Sequence, residues 1–118
     1  MAGQSAKKLV ERAREVIACE SEAIRALTAQ IDESSADVAR TMFDCKGHIL
    51  VTGAGTSRAI AQRFAHLLSC CGTPALVLNA ADCLHGGAGA ITAADVLYVI
   101  SKGGHSREIN CLVEIAKG

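Results

Sequence analysis

The segment Ile49-Leu50-Val51-Thr52-Gly53-Ala54-Gly55-Thr56-Ser57 decides how the rest of the chain is interpreted. An aliphatic and β-branched run is followed at once by glycines and hydroxyl residues, which is typical of a buried strand that turns into a helix. Glycine permits backbone torsions and close approaches that a side chain would block. Amide groups at the start of a helix, helped by the helix dipole, bind anions such as phosphate. The segment therefore predicts an anion site between a strand and a helix.

The composition of the 118 residues is that of one domain with a modest hydrophobic core. Half of the residues are apolar, and twelve basic residues balance twelve acidic ones. Because the chain has no net positive charge, we expect no binding of nucleic acid or of an anionic membrane. The first residues do not resemble an apolar leader, and the longest uncharged run, 64–81, contains polar residues and a proline. We therefore predict no membrane span and a cytoplasmic location.

The six cysteines lack the spacing of a metal site or of a redox pair. They form no Cys-x-x-Cys motif and no series with histidines at the intervals of zinc ligands. We therefore expect no bound metal, and reduced cysteines that are small, buried hydrophobic side chains. These residues are Cys19, Cys45, Cys70, Cys71, Cys83 and Cys111.

Residues 1–46 are predicted to form an N-terminal helical arm. Apolar residues recur from 6 to 31 at steps of three, four and seven, with charged residues between them, which predicts one amphipathic helix. A second, shorter helix is expected to begin after a cap at Ser34 or Ser35 and to end at about Cys45. A helix of this kind usually packs on its own domain or on a second subunit, so the arm predicts a homo-oligomer, either a dimer or a tetramer.

Residues 47–118 are predicted to form an α/β domain. Short apolar runs and amphipathic segments alternate here, and this order is typical of a three-layer, flavodoxin-like fold with a parallel sheet. Strands are predicted at 48–52, 75–78 and 96–100, and helices at 57–71 and from about 107 onward. Because three strands make a narrow sheet, we expect the chain to be the front part of a longer domain, truncated at its C-terminus. In the first of these helices, the residues expected to face the core are Ile60, Phe64, Leu67 and Leu68.

Two loops of similar composition follow the first and third predicted strands. Gly53–Ser57 and Ser101–Ser106 each combine small residues, hydroxyl groups and a helix start. Because ligands of parallel sheets bind at the carboxyl ends of the strands, the two loops together are expected to hold one phosphate. The main alternative is the dinucleotide motif Gly-x-Gly-x-x-Gly. Arg58 replaces its third glycine, and Asn79 ends the second strand where that motif has an acidic residue, so we disfavour a nucleotide.

The segment from Met42 to Ile109 resembles the sugar isomerase (SIS) domain family, and within it the arabinose 5-phosphate isomerases and related small phosphosugar isomerases. The blocks that carry the resemblance are Cys45-Lys46-Gly47 with Val51–Ser57, Gly72-Thr73-Pro74, and His85-Gly86 through Gly89, Ile91 and Asp95 to Ser101. The resemblance implies an enzyme that interconverts aldose and ketose sugar phosphates without a cofactor. The alternative is a non-catalytic module that binds or senses a phosphosugar.

The resemblance also implies which residues form the site. Contacts to the phosphosugar are expected from Gly53, Gly55, Thr56, Ser57, Ser101, Lys102, Gly103, Gly104 and Ser106. His85 and His105 are the catalytic candidates, because histidine can act as acid or base at cytoplasmic pH. A helix cap at His105 and a solvated loop lysine at Lys102 are the alternatives for those two residues. Where this chain has Thr56, the isomerases that it resembles have a lysine, and where it has His105, they have a glutamate. These two differences favour the non-catalytic alternative.

Overall fold

The structure is a computed structural model that describes residues 5–118. Within that range the helices are α1 (Ala6–Ala26), α2 (Glu33–Phe43), α3 (Thr56–Cys70), α4 (Ala80–Leu84) and α5 (Arg107–Lys117), and the strands are β1 (Ile49–Gly53), β2 (Ala75–Leu78) and β3 (Val96–Ile100). Single turns of 3-10 helix follow α1, at Leu27–Gln30, and α4, at Gly87–Ala90. The bounds of β2 and β3 and the start of α5 agree with the sequence prediction.

The chain divides into two compact units, one that extends to Val38 and one that comprises Ala39–Gly118. This division lies upstream of the boundary at residues 46 and 47 that the sequence suggested. Met42 shows why the second unit begins earlier, because its side chain packs against the sheet core. The assignment of 1–46 and 47–118 as separate domains stays a prediction.

Helix α1 is amphipathic, as predicted, but it is shorter than its sequence pattern. It ends at Ala26 rather than continuing to Ile31. The hydroxyl of Thr28 donates to the carbonyl of Arg25, and a side-chain bond of this kind competes with the helix hydrogen bonds. No residue of α1 is buried. Among residues 5–118, no helix is both long enough and apolar enough to cross a membrane.

The start of α2 differs from the prediction because an aspartate precedes the two serines. The Asp32 carboxylate accepts a hydrogen bond from the backbone N–H of Ser34 at 3.0 Å and another from the Ser34 hydroxyl at 2.6 Å. This is the geometry of a helix N-cap. The predicted cap at Ser34 or Ser35 is therefore wrong, and both serines lie inside the helix.

Strand β1 is the centre of a parallel sheet with the order β2-β1-β3. The register pairs Thr52 with Leu78 on one side and Gly53 with Ile100 on the other. All residues of β1 are buried, as predicted for a strand that is covered on both faces. The buried hydroxyl of Thr52 donates to the Leu78 carbonyl at 2.9 Å, which ties the ends of β1 and β2 together. The loops after the three strands consequently share one edge of the sheet.

Helices cover both faces of the sheet. On one face, Ala61 and Ala65 of α3 pack against β1. The rings of Phe64 and Tyr98 meet on the same face, with their centroids 4.9 Å apart. The opposite face is covered by α4 and α5, and their buried residues are Ala80, Cys83, Ile109 and Leu112. This arrangement confirms the predicted three-layer α/β fold with a parallel sheet.

Two core-facing residues predicted in α3 are in fact directed to solvent. Ile60 is 58% exposed and Leu67 is 43% exposed, whereas Phe64 packs against the core as predicted. Ala61 and Ala65 are the buried positions of the helix. Small residues allow the helix backbone to approach the sheet closely, and a pattern based on large apolar side chains overlooks them.

The prediction that the cysteines are buried is also wrong for most of them. All six are free thiols, and only Cys83 is buried. Burial raises the pKa of the Cys83 thiol, and the neighbouring Asp82 carboxylate raises it further. Cys19, Cys70 and Cys71 are exposed.

Candidate functional site

A cleft of about 360 Å³ lies between the loops that follow β1 and β3, and we call it the first cleft. Its lining residues are Ala54, Ser57, Ile100, Ser101, Lys102, Gly103, His105 and Ser106. Both loops of the predicted site therefore contribute to one concave surface. Six of the predicted site residues line it together: Ser57, Ser101, Lys102, Gly103, His105 and Ser106.

The first loop depends on the torsional freedom of a glycine where α3 begins. Gly55 has a φ of +55°, a conformation that residues with a Cβ rarely adopt. It is the N-cap residue of α3 and offers no side-chain cap. The next residues, Thr56 and Ser57, form the first turn of the helix, and Ser57 is half-buried while Thr56 is exposed. The turn thus directs Ser57 to the first cleft.

The second loop is held by internal hydrogen bonds on both sides of Gly104. The Gly104 N–H donates to the Ser101 hydroxyl oxygen at 2.9 Å, and the Asn110 side-chain amide donates to the Gly104 carbonyl at 3.1 Å. Gly104 has a φ of +68°. Because the Ser101 oxygen accepts the bond from Gly104, its own proton remains available for donation to an anion.

Asn110 is a positioning residue that the sequence interpretation missed. It lies one turn into α5, the helix that follows the loop, and its amide reaches back to the loop carbonyl. A single amide on an amphipathic helix is usually a solvated residue. The only available signal was its position in the turn that follows a glycine-rich loop.

Hydroxyl groups and helix starts together give the first cleft the chemistry of an anion site. Within residues 5–118 the hydroxyls of Ser57 and Ser106 have no hydrogen-bond partner, although both residues are half-buried. Ser106 is the N-cap residue of α5 and makes no side-chain bond to the helix amides. The partial positive charge of two helix starts, with hydroxyl donors beside them, favours a phosphate group. Lys102 and His105 are exposed at the same cleft.

The other five predicted residues, His85, Gly53, Gly55, Thr56 and Gly104, are not among those that line the first cleft. His85 is the C-cap residue that follows α4. Its backbone N–H donates to the Asp82 carbonyl at 3.0 Å, and its side chain is exposed. Thr56 and Gly104 line neither the first cleft nor the second cleft described below. The structure therefore does not group His85 with His105 at one cleft.

A second cleft, of about 190 Å³, lies on the other side of the first loop. Its lining residues are Gly53, Ala54, Gly55, Arg58, Asn79, Ala80, Ala81 and Glu108. The predicted glycines Gly53 and Gly55 belong to this second cleft. Ala54 lines both clefts, so the loop after β1 is the wall between them.

Asp95 has a structural role at the opposite edge of the sheet. Its carboxylate accepts hydrogen bonds from the His48 N–H at 2.7 Å, from the Thr92 N–H at 2.8 Å and from the Thr92 hydroxyl at 2.9 Å. These bonds, and more weakly the charge of His48, lower the pKa of the Asp95 carboxyl. The side chain is only 6% exposed, so it fastens the start of β3 to the start of β1.

The fold and the first cleft define the chain as a parallel α/β domain with a hydroxyl-lined cleft at the carboxyl ends of its strands. The family model of the SIS domain matches residues 42–118, and the chain belongs to this family. It is similar to arabinose 5-phosphate isomerase KdsD of Escherichia coli K12, with 34% identity over 104 residues, which cover 88% of this chain and 32% of that protein. The chain spans about a third of the length of the curated relatives it matches.

Solved structures share the same fold. A Listeria monocytogenes protein proposed to be a sugar-phosphate isomerase superimposes with a TM-score of 0.89 at 28% identity, over 98% of this chain and 61% of that one. A protein of Escherichia coli CFT073, solved in complex with arabinose 5-phosphate, has a TM-score of 0.89 at 23% identity, over 97% of this chain and 61% of that one. The latter likeness shows the fold alone. These findings confirm the resemblance to the SIS family.

Proposed function

We propose that the chain carries the phosphate-binding part of an SIS-type phosphosugar isomerase, which interconverts an aldose phosphate and a ketose phosphate. The observation that carries the proposal is that Ser57, Ser101 and Ser106 line one cleft between two helix starts. Family membership, together with similarity to arabinose 5-phosphate isomerases, supports a sugar phosphate as the ligand. In this proposal, the loop amides and hydroxyls hold the phosphate without a metal or a nucleotide.

The chemistry requires a base and a group that stabilises an enediolate. The base removes the proton from C2 of the aldose and returns it to C1, while a hydroxyl proton moves from O2 to O1. His105 is our first candidate for this transfer, because it lines the first cleft beside Ser106. Lys102 lines the same cleft and can stabilise negative charge on the phosphate or on the enediolate. His85 stays a prediction that rests on the family resemblance.

A second candidate function is a phosphosugar-binding module without catalysis. The family resemblance favours it, because the resemblance implies a lysine where this chain has Thr56 and a glutamate where it has His105. A module of this kind would retain the hydroxyls and amides of the first cleft and lack proton transfer.

Binding and turnover separate these functions. The 118-residue chain is titrated with arabinose 5-phosphate and with inorganic phosphate by calorimetry. Formation of ribulose 5-phosphate is then followed with the complete domain, because the chain spans about a third of its relatives' length and is proposed to carry only the phosphate-binding part. Binding with turnover supports the isomerase, and binding without turnover supports the module. A chain that is folded by circular dichroism and binds neither compound contradicts both. If turnover is found, His105→Gln is expected to abolish it while leaving arabinose 5-phosphate bound.

We also propose that the chain forms a homo-oligomer, either a dimer or a tetramer, through the apolar residues of its N-terminal arm. Exposed apolar side chains on α1 support this assembly: Leu9, Val10, Val16, Ile17 and Ile24. Light scattering coupled to size exclusion is expected to give the mass of a dimer or tetramer. Ile17→Glu is expected to lower that mass and Arg14→Gln to leave it unchanged, whereas a monomeric parent chain would refute the assembly. The cytoplasmic location stays a prediction of the sequence.

A further inference from the structure

We propose that the second cleft binds hydroxyl groups of the substrate's carbon chain, while C1 and C2 lie at the Ala54 edge that the two clefts share, on the side of His105. In this proposal Arg58 and Glu108 select a neutral polyhydroxyl group. This inference rests on the proposed function and deepens it, because it concerns the part of the ligand beyond the phosphate. Neither Arg58 nor Glu108 belongs to the predicted phosphate contacts.

The position of the two clefts allows one ligand to occupy both. They lie on opposite sides of the loop after β1 and share Ala54. In this proposal a ligand whose phosphate lies in the first cleft extends over Ala54 towards the second. The volume of about 190 Å³ corresponds to roughly six water molecules at their share of liquid volume. That space is enough for a few hydroxylated carbons.

Two charged side chains of opposite sign line the second cleft without a partner. Arg58 belongs to the first turn of α3 and Glu108 to the first turn of α5. Within residues 5–118 neither side chain forms a hydrogen bond or an ion pair. The third polar residue of the lining, Asn79, differs because its amide is already engaged, with Ala81 N–H at 3.2 Å and with the Asp82 carboxylate at 2.8 Å. Arg58 and Glu108 are therefore the side chains that remain free to meet a ligand.

The charge balance of the second cleft indicates the chemistry of that ligand. A guanidinium only donates hydrogen bonds and a carboxylate only accepts them, whereas a sugar hydroxyl can do both. The pair sums to zero charge, and a second phosphate would lie against the Glu108 carboxylate, where like charges repel. A monophosphate with an uncharged, hydroxylated chain therefore matches the balanced charge of the second cleft better than a bisphosphate does.

The experiment compares two probes on matched variants. Arabinose 5-phosphate can reach both clefts, whereas inorganic phosphate reports on the first alone. Arg58→Ala and Glu108→Gln are each expected to raise the Kd of arabinose 5-phosphate by about tenfold, since each removes hydrogen bonds to a charged group. The Kd of inorganic phosphate should change less than about twofold by the same reasoning. The controls are Arg63→Ala and Glu114→Gln, exposed residues of the same helices that lie outside both clefts.

Several results would overturn the inference. If Arg58→Ala weakens the binding of arabinose 5-phosphate and of inorganic phosphate equally, Arg58 acts only as a distant charge on the phosphate. If Glu108→Gln lowers the Kd of both probes, the Glu108 carboxylate acts only as a distant charge on the phosphate. Unchanged Kd values in both variants would exclude contact of these side chains with the sugar. Because Glu108 also interacts favourably with the helix dipole, a thermal melt of each variant checks that the fold is intact. If the parent chain is folded and binds neither probe, the proposed function and this inference are both wrong. If the parent chain binds arabinose 5-phosphate and the variants bind it equally well, only the inference is wrong.

Discussion

A Cβ atom on Gly53 would lie 2.8 Å from both the carbonyl carbon and the carbonyl oxygen of Ser57. The same atom would lie 3.0 Å from the Ile100 carbonyl oxygen. The end of β1, the first turn of α3 and the end of β3 are therefore packed backbone against backbone. The two loops of the first cleft can approach each other because position 53 has no side chain.

Gly53→Ala is expected to destabilise the fold and to loosen the first cleft. The methyl group meets backbone atoms, which cannot rotate away, and overpacking of this kind costs about 1–3 kcal/mol. Denaturant unfolding measures the loss, and calorimetry with arabinose 5-phosphate measures the effect on the cleft. Gly89→Ala is the control, because a Cβ there would have no neighbour within 4 Å. Equal stability of the two variants would contradict the close approach.

Ser57→Ala and Ser101→Ala are expected to weaken phosphosugar binding by different routes. Each removes a hydrogen bond to a charged group, which is worth about 1.5–3 kcal/mol. Ser101→Ala also leaves the Gly104 N–H without its acceptor, so it should lower the melting temperature of the free chain, whereas Ser57→Ala should not. Unchanged affinity for arabinose 5-phosphate in both variants would refute the phosphate site.

Leu112→Ala is expected to destabilise the domain strongly. Leu112 is fully buried between α5 and the sheet, and removing such a side chain costs about 2–5 kcal/mol. Ile115, on the same helix, is 49% exposed. Its replacement by alanine should cost less than about 1 kcal/mol, because exposed positions contribute little. Chemical denaturation of both variants tests the difference, and similar losses would mean that α5 does not pack as described.

Asp95 is expected to make the fold sensitive to acid. Its pKa is lowered in the folded chain, so the unfolded chain binds its proton more readily and the carboxylate contributes stability above the unfolded pKa. That contribution is lost as the pH falls below about 4, the usual value for aspartate, towards the lower folded pKa. Melting temperatures measured between neutral pH and about pH 3 should show this loss in the parent chain.

Asp95→Asn gives the matched comparison. It should melt at a lower temperature at neutral pH, because an amide cannot accept all the bonds from His48 and Thr92. Its melting temperature should also depend less on acid. Asp44→Asn, at an exposed position, should behave like the parent chain. A parent and an Asp95→Asn variant with parallel pH profiles would show that this carboxylate does not couple folding to protonation.

The sequence predicted the sheet well because strand signals are local. The continuous apolar run of β1 predicts a strand buried on both faces, and the glycines after it predict the loop. Contacts across the chain are different. The Asn110 side chain donates to the Gly104 carbonyl only because the loop folds back over α5. The local sequence pattern does not predict this hydrogen bond. The second cleft was missed for the same reason, since Arg58 and Glu108 line one cleft only once the sheet has folded.

The predicted core face of α3 was partly wrong because the buried side chains of this helix are small. Periodicity assigns the inward face to large apolar residues such as Ile60, yet close approach to the sheet favours Ala61 and Ala65. The predicted N-cap of α2 was wrong because aspartate and serine both suit an N-cap position. Asp32 precedes both serines and takes that position. The catalytic candidates reflect a similar limit, because His85 follows from a family motif while the first cleft contains only His105.

The order β2-β1-β3 has a practical consequence for handling the protein. Within residues 5–118 each outer strand has a neighbour on one side only, so the outer backbone donors and acceptors of β2 and β3 have no strand partner. Open strand edges are templates for pairing with strands of other molecules. Association through these edges should grow with protein concentration and with mild destabilisation. Dilute samples kept cold will therefore give the cleanest binding data.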